Sequence, residues 1–327
     1  MTNKTHRTRR LVSLVLAVLV CAGLWWSYAN RQYLDDYVKF SAYQPTDEIE
    51  QMAERVGLTE SGKFRTYSAA PEISQAAEFN EYCGSAEAET NVLGCYTGEK
   101  IYVFDVKSSE LDGIKEVTLV HEMLHADYAR QSGGERQELD KAIDQYVGAH
   151  GDKALEEHMS SYPAADKYTE LHSVLGTEYS GLPDVLEKHY SALFSRAKVL
   201  ALYDGYQQKF EEIQTRADEI VREGEALADD IKQQSAAYDT ALDELNARIK
   251  SFNARAGTSG GFSSQAEFDA ERASLVAESG RLEALRVEIN QKIERYNVLA
   301  EELSQLELRN RELNDSLNSK LQEAPTL

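Results

Sequence analysis

A chain of 327 residues with a formal net charge of −21 has room for a globular domain with a sizeable core and an extended part besides. The charge divides as +5 over residues 1–32, −18 over 33–194 and −8 over 195–327. A body this acidic repels a phosphate backbone, so no nucleic-acid partner is expected, and the plainest use of the acidity is solubility.

The first predicted element spans a membrane. Lys4, Arg7, Arg9 and Arg10 precede "LVSLVLAVLVCAGLWWSYAN", which carries no charge from Leu11 to Asn30. A helix of about 20 apolar residues crosses the hydrocarbon of a bilayer. The basic flank then belongs in the cytoplasm and the bulk of the chain outside it, with Trp25, Trp26, Tyr28 and Tyr33 at the outer interface. Residues 1–32 are thus read as a basic flank and a single-pass signal anchor, its span being residues 11–30. A signal peptide cleaved after Ala29 is the alternative, and the length of the apolar run favours the retained anchor. Either reading exports the chain. Cys21 lies inside the run, preceded by Val20 where a lipoprotein site wants a small residue. Beyond it Cys83 and Cys95 are the only pair, and outside the cytoplasm a disulfide is expected between them, contributing roughly 3 kcal/mol in the chain-entropy model.

Residues 33–194 read as an α+β domain, a small sheet followed by helices. A helix is predicted over 45–58, capped by Thr46 or Asp47 and ending near Gly57. "KFRTYSAA" (63–70) and "KIYVFDV" (100–106) are rich in β-branched and aromatic residues and are predicted to be strands, and "NVLGCYT" (91–97) a weaker strand able to pair with 100–106 as a hairpin. Helices follow over about 112–131, 134–148, 152–161, 164–176 and 183–194, punctuated by Gly133–Gly134, Gly151, Pro163 and Pro183.

From residue 195 onward the texture changes. Tyr203, Phe210, Ala217, Gly224, Ile231, Tyr238, Leu245 and Phe252 are spaced by seven, as are Phe268, Leu275, Leu282, Ile289, Tyr296, Leu303, Asn310 and Leu317. Sustained heptads predict coiled coil. The Gly- and Ser-rich "AGTSGGFSSQAEF" between them predicts a turn, with "SQAE" as a capping box, so 195–327 is read as a long antiparallel helical hairpin. Pairing with a second chain is the structural alternative, and the rod is a candidate site for a protein partner or for self-association.

The stretch that carries chemistry is "EVTLVHEMLHADYAR" (116–130). On a helix His121 and His125 lie one turn apart on one face and can reach one metal ion. Glu122, one residue on, can reach past that ion to water as a general base. The competing reading is two satisfied histidines on an ordinary amphipathic helix.

HExxH on a helix after a strand resembles the zincin metallopeptidases, in which an edge strand helps to bind the extended substrate; here "KIYVFDV" would take that place. The "HADYARQ" that follows departs from the metzincin pattern, leaving the gluzincin branch, whose third ligand is a glutamate on a later helix. The resemblance implies Zn2+ held by His121, His125 and Glu170 of "YTELHSVLGTEY", with Glu157 the runner-up ligand and His172 a weaker one. It leaves the carboxylate that often orients a zinc-bound histidine unassigned: Val174 is at its position, and Ser173 could serve. A transition-state donor would come from Tyr162, Tyr168, Tyr179, His172 or His189.

The function implied is that of a membrane-anchored, extracytoplasmic zinc metallopeptidase acting on peptide or protein substrates. The rival expectation is a non-catalytic cell-surface scaffold or adaptor acting through its coiled-coil rod.

Overall fold

The computed structural model describes residues 16, 18–84, 92–151, 153, 155, 159, 162–163 and 165–320. About 78% of the described residues are helical, with one small three-stranded sheet among them. This overturns the α+β expectation, and the physical reason lies largely in one segment. Of residues 63–70, predicted to be a strand, 63–68 belong to a helix.

The elements, in chain order, begin with α1 (Arg31–Ala42), α2 (Asp47–Val56) and α3 (Glu60–Ser68), followed by β1 (Glu72–Ser74) and α4 (Ala76–Cys83). Next come β2 (Gly94–Tyr96), β3 (Ile101–Phe104), α5 (Ile114–Arg130), α6 (Gly133–His150), α7 (Lys167–Glu178) and α8 (Asp184–Ser191). Two long helices, α9 (Arg196–Ala256) and α10 (Gln265–Ser316), complete the chain.

The transmembrane expectation is also corrected. Residues 11–15 and 17 lie outside the described residues, and among those described no helix is long and apolar enough to cross a membrane. The described apolar helix, residues 18–29, stops at a turn at Asn30. The α1 helix that follows carries Arg31, Asp35, Asp36 and Lys39. The single-pass localisation that rested on the anchor falls with it.

Local chemistry explains the helices. Thr46 caps α2 by accepting from the Ile49 N–H at 3.3 Å, and Gly57 ends it at φ 65°, a left-handed conformation that glycine adopts without penalty. Thr59 caps α3 in the same way through the Gly62 N–H at 3.1 Å. The aromatic residues of α3 that suggested a strand pack on α1 instead: Phe64 meets Phe40 and Tyr33 with ring centroids 5.3 and 5.7 Å away. Ser132 and Glu135 form a full capping box at the start of α6.

The sheet order is β1-β3-β2, with β1 parallel and β2 antiparallel to β3. The β2–β3 pairing follows the hairpin predicted for 91–97 and 100–106. β3 itself is central, not the edge strand that the zincin resemblance required of it. β2 holds the edge instead. The Cys83–Cys95 disulfide, with Cα atoms 5.8 Å apart, ties α4 to that edge.

The chain forms two compact units, Met1–Lys209 with Leu313–Leu327, and Phe210–Glu312. In the first, α5 runs through the core with Val120, Met123, Leu124 and Ala126 fully buried. It crosses α7 closely, since a Cβ at Gly176 would lie 2.4 Å from Leu124 Cδ1 and 3.1 Å from the Tyr190 ring. A bidentate ion pair between Asp36 and Arg130, both arms at 2.8 Å, fastens α1 to the last turn of α5.

The second unit is an antiparallel helical hairpin. Arg216 pairs with Glu302, Arg295 with Glu223, and Arg248 with Glu278, so residues late in one arm meet residues early in the other. Its seam buries Ile213, Ile220, Leu245, Phe252, Leu275, Leu282, Ile289 and Leu299, largely as the heptads predict. Tyr296 departs from the pattern and is 41% exposed, with Gly224 beside its ring. Ser264 caps α10 through the Glu267 N–H at 3.1 Å, while the Glu267 carboxylate returns to the Ser263 N–H and not to that of Ser264.

Candidate metal centre

The centre is assembled by two helices. α5 presents His121 and His125 on one face, and α7 brings Glu170 up to them. The His121 and His125 Nε2 atoms lie 3.1 Å apart. Glu170 Oε1 is 3.4 Å from His121 Nε2, and its Oε2 is 3.4 Å from His125 Nε2. Three donors bound tetrahedrally at the usual zinc distances lie about 3.3 Å from one another. The triangle therefore has the size of a zinc site's ligand face.

The electrostatics also call for a cation. Burial by itself would lower the pKa of His121, but the neighbouring Glu170 carboxylate more than offsets it, and Glu122 and Glu178 add to the effect, carrying the value up to about 10. A buried carboxylate between two imidazoles needs positive charge near it, which a proton or a metal ion supplies. Thr169 Oγ1 lies 3.0 Å from His125 Nδ1. Accepting the Nδ1 proton there leaves Nε2 as the free lone pair, the usual way a partner orients a ligating histidine. Ser173, the alternative for that supporting role, is occupied with the Thr169 carbonyl of its own helix at 3.2 Å.

Glu122 lies beside the triangle, buried under β2. Burial raises its pKa above the ordinary carboxylate range, against the lowering influence of His125 and His121. Its carboxylate accepts the Tyr96 backbone N–H. Gly94 makes this approach feasible, because a Cβ there would stand 2.6 Å from Thr118 Cγ2 and 2.8 Å from both Glu122 Cγ and Oε1.

An open cleft of about 430 Å³ fronts the centre, lined by Gly94, Tyr96, His121, Glu122, His125 and Glu170 among others. Of the five candidate donors only Tyr162 lines it. Tyr168 is engaged with Asp144 through its hydroxyl, at 2.9 Å. The second-choice ligand Glu157 lies outside the described residues.

His172 points elsewhere. Its ring, fully buried, is turned to the far side of α5, where Asp127 and His189 meet it. Burial and the neighbouring His189 drive its pKa down to about 3, so the ring is neutral. His189 Nε2 approaches Asp127 Oδ2 to 3.0 Å.

Reasoning from sequence missed Thr169, Gly94 and the Asp127–His172–His189 group. Only Thr169 left a signal, as a hydroxyl residue directly before the candidate ligand. Compared with known proteins, the chain matches no protein-family model, no curated protein and no solved structure.

Proposed function

We propose that this protein is a zinc-dependent peptidase, with zinc held by His121, His125 and Glu170 and with Glu122 as the general base. The observation that carries the reading is the 3.1–3.4 Å triangle of donor atoms with a buried carboxylate beside it at an open cleft. Zinc bound there would supply Lewis acidity, lowering the pKa of water and polarising a carbonyl.

The rest of the chemistry belongs to the chain. Glu122 takes a proton from the attacking water as its oxygen adds to the peptide carbonyl carbon. It returns that proton to the amide nitrogen as the C–N bond breaks, so a carboxylate and an amine leave. The β2 edge supports substrate alignment. Leu93 accepts from Phe104 N–H and Thr97 donates to the Lys100 carbonyl, so the intervening Gly94 and Tyr96 turn their backbone groups away from β3, toward the cleft. An extended peptide added along that edge would lie across the centre.

The test is metal analysis of the purified full chain beside Glu170→Ala. The wild type is expected to hold zinc at this centre and the variant to lose it while keeping its helical circular dichroism. Full zinc retention in Glu170→Ala would remove that residue from the ligand set.

Gly94→Ala gives a separate prediction. The added methyl cannot fit without moving Glu122, and a displacement near 1 Å costs about a hundredfold in rate. Turnover is expected to fall by about that factor at unchanged zinc content. Unchanged kcat/KM would show that Glu122 does not depend on this close approach.

A further inference from the structure

Behind the centre, on the opposite face of α5, lies a second group of metal-binding side chains. Asp127 of α5, His172 of α7 and His189 of α8 each place a ligand-type atom within 4.8 Å of the other two. Asp127 is 1% exposed and His172 0%. Neither ring nitrogen of His172 has a hydrogen-bond partner among the described residues. A fully buried imidazole with both nitrogens unpaired is costly, because each lost its water on folding and gained nothing in return.

We infer that Asp127, His172 and His189 form a second site for a divalent transition-metal ion such as zinc. Two imidazoles and a carboxylate are a donor set suited to zinc and its neighbours. The His189–Asp127 separation of 3.0 Å is close to the ~3.3 Å edge of a tetrahedral site. The Asp127 oxygens are already divided: Arg65 donates to Oδ1 at 2.9 Å, while Oδ2 faces His189 and accepts from Gln131 at 2.7 Å. The Arg65 charge is shared with Asp36, 3.9 Å away, which lessens its opposition to a cation. Metal binding would satisfy one unpaired His172 nitrogen.

An approach from solvent exists. His189 lines a cleft of about 450 Å³ together with Glu135, Glu138, Asp184 and Lys188, whose three carboxylates outweigh the one ammonium and favour a cation over an anion. The position gives the site a role. Asp127 shares α5 with His121 and His125, and His172 shares α7 with Glu170, so an ion here clasps the two helices whose register sets the first triangle. The inference does not depend on hydrolysis at that triangle.

The experiment uses the full chain, loaded with zinc alone, dialysed against metal-free buffer and assayed by elemental analysis. Wild type is expected to hold two zinc ions per chain, the double variant His121→Ala/His125→Ala one, and His189→Gln one. Cobalt substituted into the double variant should give visible absorption bands that His189→Gln, added to it, removes. Asp127→Asn serves as a second removal should His189→Gln prove poorly folded. One zinc per wild-type chain, lost in the double variant and kept in His189→Gln, overturns the second site and leaves the first standing. Two ions lost only together with the double variant, or no zinc in the wild type, also overturns it.

Discussion

Glu122→Gln is expected to abolish peptide hydrolysis while leaving zinc in place. The amide has nearly the shape of the carboxylate and still fits beneath Gly94, but it cannot take a proton from water at neutral pH. General-base groups of this kind contribute about 10²- to 10⁴-fold, so turnover on an unfolded polypeptide should fall by at least that lower factor. The proposed zinc donors are untouched, since the triangle is built from His121, His125 and Glu170. Rate and zinc content are therefore measured on the same preparation. Activity near wild type would remove Glu122 from the chemistry. Zinc lost along with activity would make Glu122 a ligand or a prop for the fold, and the hydrolytic reading would lose its base.

Arg130→Ala should be strongly destabilising to the first unit. The Arg130 side chain is 4% exposed and that of Asp36 1%. Besides its bidentate pair with Asp36, Arg130 donates to the Ala126 carbonyl and the Tyr96 hydroxyl, each at 2.9 Å. Burial opposes its charge, and the hydrogen-bonded Asp36 more than restores it, so the guanidinium pKa is raised. Removing one member of a buried pair costs about 3–5 kcal/mol, and Arg65, 3.9 Å from Asp36, compensates the remaining carboxylate only in part. Denaturant unfolding of Arg130→Ala should show a loss of that order. Asp36→Leu combined with Arg130→Met should cost less than either single change, because no orphaned charge remains. A loss below about 1 kcal/mol in Arg130→Ala would mean that water reaches and screens the pair.

The two changes meet at β2. Tyr96 offers its backbone N–H to Glu122 and its hydroxyl to Arg130, so the ion pair that fastens α1 also steadies the strand over the base.

Several features were legible because they are local. His121 and His125 share a face on any helix, whatever surrounds it, and Glu122 necessarily follows one step round. Heptads in α9 and α10 could be counted directly, and the Gly- and Ser-rich turn between them allowed the chain to reverse. Cys83 and Cys95 could be paired because no other cysteine lay beyond Cys21. The disulfide is present, although the membrane anchor that argued for export is not supported among the described residues. After the apolar run the chain turns at Asn30 and continues as a charged helix.

The misread strand at 63–70 shows where local reading stops. Phe64, Thr66 and Tyr67 suit a pleated sheet by type, yet the half-buried Phe64 ring packs on α1, and the Thr59 cap favours the helix. Strand order is not a local property either, so β3 could not be known to lie between β1 and β2.

By itself the sequence determined that His121 and His125 share a helix face with Glu122 one step round, and it determined the heptad rod, because each depends on a period within one helix. Only the tertiary structure decided that Glu170 closes the triangle, that Gly94 and Tyr96 hold Glu122, and that His172 turns away to meet Asp127 and His189. Those contacts join segments dozens of residues apart. Their distances follow from how closely α5 and α7 cross at Gly176 and Leu124, which no periodicity along the chain encodes.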